Sequence, residues 1–200
     1  MAETRYHRVS ALADVALQGR FGADKGAPGV TFSVRHPVSI ALIIARKGKS
    51  GVVSAAMQAA FRVSCPEPGY SAQGAGVTLH WCAPGQWYAV ADGMAEGALY
   101  KQVRDGLRGV ASVTDQSHGR IIIGIAGPKA RATLAKGTPV DLHSSAFGSG
   151  RSAVTTMAHT GVHLAQVGPD AFELSVYRAF SESFWGWLTE QAEEFGYQVT

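Results

Sequence analysis

The chain has 200 residues, 46% of them hydrophobic, enough for one large domain or two small halves sharing a core, and it is too rich in Ile, Val, Leu and Phe to be disordered. Its formal net charge of +3 comes from 18 basic against 15 acidic residues, too small an excess to indicate a nucleic-acid partner. The longest apolar run, residues 39–45, falls far short of the roughly 20 residues of a bilayer helix, so no membrane association is expected. The first residues, MAETRYHRVS, lack the apolar segment of a secretory signal.

Cys65 and Cys82 are the two cysteines, too few for a disulfide scaffold and too far apart for a zinc knuckle or redox pair, so a reduced, cytoplasmic location is expected. Charged residues make up 16% of the chain, against roughly 25% in ordinary soluble domains. Few charges are available to cover the surface, which points to a face covered by another protein.

Residues 1–28 have scattered apolar positions and many turn formers, and read as an N-terminal arm outside the core. Residues 30–35 alternate as a half-buried strand, and 39–45 run as a fully buried one. After the turn at 46–51, Val52, Val53, Ala56, Met57, Ala60 and Phe61 recur at helical spacing. The glycine-rich stretch 66–76 reads as a surface loop. Strands at 77–81 and 87–91 are joined through Pro84-Gly85 as a hairpin. Residues 94–108 place Leu99, Val103 and Leu107 on one helical face, and a strand follows at 110–114.

The second half repeats this order. Residues 120–126 form a buried strand, and Gly127-Pro128 opens a helix that ends near Gly137. Strands at 151–157, 162–167 and 172–177 precede a last helix from about Ser181 to Phe195, with Phe184, Trp187, Leu188, Gln191 and Phe195 as its core stripe. Pro84-Gly-Gln-Trp-Tyr-Ala-Val90 lies 85 positions before Pro169-Asp-Ala-Phe-Glu-Leu-Ser175, and a helix follows each. The chain therefore reads as an α+β domain over 29–200, built of two related ferredoxin-like βαββαβ halves, 29–117 and 118–200. The halves are expected to pack about a pseudo-twofold, with long-range strand pairing between them.

Few residue groups suggest chemistry. Arg46-Lys-Gly-Lys-Ser50 ends like a phosphate-binding loop, but Ile43 stands where that loop needs its first glycine, so a plain basic turn is expected. His143, His159 and His163 lack an acidic or cysteine partner at ligand spacing, and exposed hairpin histidines are expected. Asp141 begins another turn and is expected to bond its own backbone.

Thr114-Asp-Gln-Ser-His-Gly-Arg120 lies at the junction of the halves. Asp115 and His118 have the chemistry of an acid/base pair, but no third orienting group or oxyanion donor is visible. A hydrogen-bonded turn, or a ligand or partner contact, remains for His118 and Arg120. Trp87 flanks the hairpin, and Trp185 lies about 100° round the helix from Phe184, at the edge of the stripe. Edge aromatics are enriched at interfaces. Trp185, Trp87, His118 and Arg120 are thus the interface candidates, with no catalytic, cofactor-binding or metal residue assigned.

The order of Thr114 to Arg120, Gly127-Pro-Lys-Ala-Arg131, Leu134-Ala-Lys-Gly137, Pro139-Val-Asp-Leu-His143 and Phe147-Gly-Ser-Gly-Arg151 resembles the gamma subunit of heterotetrameric sarcosine oxidase. Trp81-Cys-Ala-Pro-Gly-Gln-Trp87 is similar to that family's hairpin, and Ala153-Val154-Thr155 departs from an expected Ala-Gln-Thr. The resemblance implies a fold like the folate-binding domain of glycine-cleavage aminomethyltransferase. It also implies a non-catalytic subunit, with alpha, beta and delta subunits as partners. In such a complex sarcosine is oxidatively demethylated to glycine, with formaldehyde or methylene-tetrahydrofolate and hydrogen peroxide as further products. FAD, FMN, NAD, zinc and tetrahydrofolate are then expected in the other subunits and none in this chain. The equivalent subunit of N-methylglutamate dehydrogenase and a free-standing folate-binding or aminomethyl-transfer protein are the alternatives.

Overall fold

A computed structural model describes residues 8–23 and 26–200. Its twelve strands form two sheets. The first sheet is built from β3 (Val38–Ala45), β4 (Ser71–Gln73), β5 (Thr78–Ala83), β6 (Gln86–Asp92) and β7 (Ala111–Asp115), in the spatial order β4-β5-β6-β3-β7. Helices α1 (Ser50–Phe61) and α2 (Ala98–Gly106) lie between β3 and β4 and between β6 and β7. Without β4 this is the ferredoxin-like βαββαβ unit read from the sequence.

The second sheet contains β1 (Gly19–Phe21), β2 (Val30–Arg35), β8 (Arg120–Ala126), β9 (Ser152–Met157), β10 (Thr160–Gly168), β11 (Ala171–Tyr177) and β12 (Tyr197–Val199), ordered β1-β12-β2-β8-β11-β10-β9. Helix α3 (Ala130–Ala135) follows β8, and α4 (Ser181–Ala192) follows β11. Strands β9-β10-β11-β8 repeat the order β4-β5-β6-β3 of the first sheet. The repeat seen in the sequence is also kept in register, because β6 and β11 occupy the two matched segments.

Period-two alternation gives each sheet two different faces. Ile121, Ile123 and Ile125 of β8 pack under Leu134 of α3 and Phe184 and Leu188 of α4. Ala41, Ile43, Leu79 and Ala89 do the same under Val53 and Met57 of α1 and Leu99 and Val103 of α2. The opposite faces meet through Val38, Ile40, Val90 and Ile122, with Tyr88 beside them. The layers therefore run helices, sheet, sheet, helices, with the seam between the sheets more polar than either outer core.

Several expectations require correction. Strand β2, placed by sequence in the first half, inserts between β12 and β8 of the second sheet, antiparallel to β8 and parallel to β12. The N-terminal arm is not wholly outside the core. Leu12 is fully buried under the second sheet, and β1 pairs with β12; the rest of the 1–28 segment partly falls outside the described residues. The strand pairing expected between the halves is made by β2 itself, whose ladders with β8 and β12 join residues 30–35 to the second half. Between the two sheets, backbone pairing among the described residues is confined to the bridge Tyr70–Arg151 and the bonds Ser71 N–Gly150 O and Ser152 N–Gly69 O, 2.8 and 2.9 Å.

Local chemistry explains the shifted boundaries. Helix α2 starts only after Gly97, whose φ of 71° is incompatible with a helix interior. Within the predicted loop 66–76, β4 forms because its backbone pairs with β5; its three residues carry no alternation that a sequence reading could detect. The buried stripe of α4 is Ser181, Phe184, Trp185, Leu188 and Ala192, whereas Trp187 is only partly buried. Trp185 has turned inward to meet Phe32 edge-on at 5.5 Å.

Candidate functional site

The links between the halves converge on one cleft of about 330 Å³. β2 ends in Arg35, the β2–β3 connection contributes His36, the β7–β8 connection Ser117 and His118, and β8 begins with Arg120. Arg8 from the arm and Arg178 after β11 complete the walls, and Glu96 lies at the mouth. Hydrogen bonds across the junction hold it in place. Ser117 Oγ accepts from Ile40 N at 2.9 Å, and Gln116 N donates to Ile40 O at 2.8 Å.

Of the four interface candidates, only His118 is on the surface. Its side chain is 59% exposed, with Nε2 2.6 Å from Glu96 Oε1. Asp115 instead caps its own turn, accepting from Ser117 N at 2.9 Å, so the possible Asp115–His118 pair does not form. Trp87 is 5% exposed within the first core, and its indole N–H donates to Pro66 O at 3.2 Å. Trp185, also 5% exposed, belongs to the second core. Both rings are enclosed by their own halves, because each sheet must bury its helix-facing side.

Arg120 is 5% exposed. Its guanidinium lies between the Tyr88 and Tyr177 rings, 5.0 and 4.3 Å from their centroids, and donates to Ser175 Oγ and Ser175 O at 2.9 Å each. Arg35 is different. It binds both Glu173 carboxylate oxygens at 2.8 Å and Asp92 at 2.6 Å, tying β2 to the ends of β6 and β11. Burial alone would lower the affinity of Arg35 for its proton, but the two carboxylates hold it above the ordinary value. Burial raises the Glu173 pKa, against the opposing pull of Arg35.

A pair of histidines occupies the seam behind Arg120. His80 on β5 and His163 on β10 are both buried, with ring centroids 5.1 Å apart. Burial, helped by the neighbouring imidazole, pushes His80 down to about 3. Burial pushes His163 down to about 4, although its Nε2 lies 3.2 Å from Trp81 O. His163 is therefore not the exposed hairpin histidine that the sequence suggested, whereas His159 is exposed in the β9–β10 turn.

Ser71 Oγ lies 2.7 Å from His80 Nδ1, superficially a nucleophile and base. An imidazole held neutral down to about pH 3 has too little basicity to take the seryl proton at neutral pH. Burial likewise lifts the Cys65 and Cys82 thiols to about 11, away from the thiolate that redox or nucleophilic chemistry requires. Among the described residues, no three His, Cys, Asp or Glu side chains are grouped to hold a metal ion, and no helix is long and apolar enough to cross a membrane. His143 bonds Ser145, and its backbone N–H is bound by Asp141, which forms the expected local turn.

Sequence missed the histidine pair and the isolated charge of Arg120, because both arise only when the two sheets are stacked. The signal available was slight: a polar residue on an otherwise apolar strand, His80 in β5, His163 in β10 and Arg120 at the start of β8.

The arrangement has known counterparts. Residues 48–194 match the family "Sarcosine oxidase, gamma subunit family". The sarcosine oxidase subunit gamma of Arthrobacter sp. is 32% identical over 145 residues, covering 70% of each chain. A chain of the heterotetrameric sarcosine oxidase from Corynebacterium sp. U-96, solved in complex with pyrrole 2-carboxylate, superposes with a TM-score of 0.79 at 26% identity, over 94% of this chain and 96% of that one. The glycine cleavage system aminomethyltransferase T of Bartonella henselae shares the fold, with a TM-score of 0.61 and 13% identity over 86% of this chain and 48% of that one. The chain belongs to the sarcosine oxidase gamma subunit family.

Proposed function

We propose that this chain is a non-catalytic subunit of a heterotetrameric sarcosine oxidase, which oxidatively demethylates sarcosine to glycine and releases the methyl carbon as formaldehyde or passes it to tetrahydrofolate, with hydrogen peroxide as the reduced product of oxygen. Alpha, beta and delta subunits are its partners, and FAD, FMN, NAD, zinc and the folate site reside in them. The cytoplasm is the expected compartment. Family membership supports the assembly.

The observation that carries the non-catalytic role is the chemistry of the seam. Its serine–histidine pair is silenced by burial, and both cysteines are held as thiols. The surface supports attachment to other chains. Val9, Tyr177 and Phe180, exposed by 63, 48 and 53%, line one shallow groove beside the cleft together with Asp14, Arg178 and Glu182, a mix of exposed large apolar and charged side chains like that of a non-obligate interface.

A tagged pull-down from native extract tests the proposal, with mass identification of the co-purifying chains and a visible spectrum of the eluate. A yellow eluate with three further chains, and a colourless isolated chain with no oxidase activity, is the expected result. Flavin bound to the isolated chain would refute it.

A further inference from the structure

The cleft at the seam holds positive charge that the described residues do not fully compensate. Arg120 is buried, yet no carboxylate among the described residues lies within ion-pair distance of it. Ser175 takes two of its hydrogen bonds, out of the five donors a guanidinium carries. A charge withdrawn from water without a counter-ion is costly, and aromatic faces offset only part of that cost.

A second cation of the same cleft is also incompletely satisfied. Arg8 Nη2 donates to Val38 O and Ser117 O at 2.9 and 3.1 Å, while its Nε is buried with no partner among the described residues. Arg178 is exposed at the rim, and its guanidinium makes only a long 3.5 Å contact to Val9 O among the described residues. Arg35 is already matched by Glu173 and Asp92. Glu96 is the carboxylate lining the cleft, and it faces His118 at the mouth. Three arginines without a carboxylate partner among the described residues, besides Arg35, thus line a space of about 330 Å³, near the lower end of small-molecule sites.

We propose that this cleft is a binding site for a small dianion, a dicarboxylate or a phosphate, whose oxygens accept from Arg120 at the floor, Arg8 on the wall and Arg178 at the rim. Planar guanidinium groups pair with both kinds of oxyanion through parallel N–H···O bonds, so the geometry sets the charge and the size of the ligand. The site does not require the subunit role proposed above, although Val9 and Arg178 line both this cleft and the groove offered there as an attachment surface.

Isothermal titration of the full chain with malonate and, separately, with inorganic phosphate tests the proposal, with chloride holding ionic strength constant. Saturable one-to-one binding is expected, and whichever anion binds at least tenfold tighter identifies the ligand chemistry. Arg178→Gln and Arg8→Gln are each expected to weaken binding about tenfold, the loss of one charge-assisted contact. Arg120→Lys retains the charge but removes the fork, and is expected to lose more. Should it fail to fold, the two other variants still decide the matter. No saturation up to the order of 10 mM, or equal affinity in all variants, would overturn the site. Binding by the free chain but not by the assembled complex would also overturn it, by showing that a partner covers the cleft.

Discussion

Acid should weaken this protein well before its carboxylates titrate, and the buried histidine pair sets the size of the effect. Both imidazoles are neutral in the fold, with values pushed down to about 3 for His80 and about 4 for His163, whereas an unfolded histidine titrates near 6.5. Depressed folded values mean that stability is intact above the unfolded pKa and is lost as pH falls below it. At pH 5 the folded pair still resists protonation while the unfolded chain binds both protons. Each histidine then contributes about 2 kcal/mol of lost stability relative to pH 7.5, or about 4 kcal/mol for the pair.

That is a large share of the 5–15 kcal/mol typical of a whole domain. Urea unfolding followed by tryptophan fluorescence at pH 7.5 and 5.0 measures it. At a typical slope of about 2 kcal/mol per molar urea, the midpoint should fall by about 2 M. Glu173, whose pKa is raised by burial, works in the opposite direction, since protonation below its folded pKa favours the native state. A control must therefore isolate the histidines. In the double variant His80→Asn/His163→Gln, the asparagine amide replaces Nδ1 beside Ser71 and the glutamine amide replaces Nε2 beside Trp81 O. Its midpoint should change with pH by less than half as much. An equal pH dependence in both proteins would refute the reasoning and show that the imidazoles protonate within the fold.

Other perturbations test different layers of the structure. Leu12→Ala empties a fully buried position and should cost about 2–5 kcal/mol, read as a fall in melting temperature of about 5–15 °C; no change would mean that the arm is not docked. Gly137→Ala would drive a methyl group into the Trp187 ring and toward Met157, with an expected loss of about 1–3 kcal/mol in urea unfolding. The thiols of Cys65 and Cys82, lifted to about 11, should react with an aromatic disulfide at pH 8 about a hundredfold more slowly in the folded chain than in urea. Labelling at the unfolded rate would contradict their burial.

Much of the architecture was legible along the chain because it is written in local period. Alternation in residues 30–35 and 77–91, the apolar runs at 39–45 and 120–126 and the helical stripes of α1 and α2 each reflect which side of a single element must be dry. The 85-residue offset went further, since it brings β6 and β11 to equivalent places in the two sheets. The boundary errors fell where a backbone special overrode pattern, as at Gly97, or where an element had three residues and no pattern, as at β4, β1 and β12.

The sequence by itself determined the α+β class, the repeated halves, the polar junction at 114–120 and the family resemblance. Tertiary structure alone decided that β2 crosses into the second sheet, that Leu12 of the arm enters a core, and that Trp185 faces inward. It also decided that His80 meets His163 and that Arg120 is buried without a counter-ion among the described residues. Strand alternation states only that a residue points to one face or the other. What lies against that face depends on which distant segment closes over it, and the seam, where both sheets present their second faces, is made of such encounters.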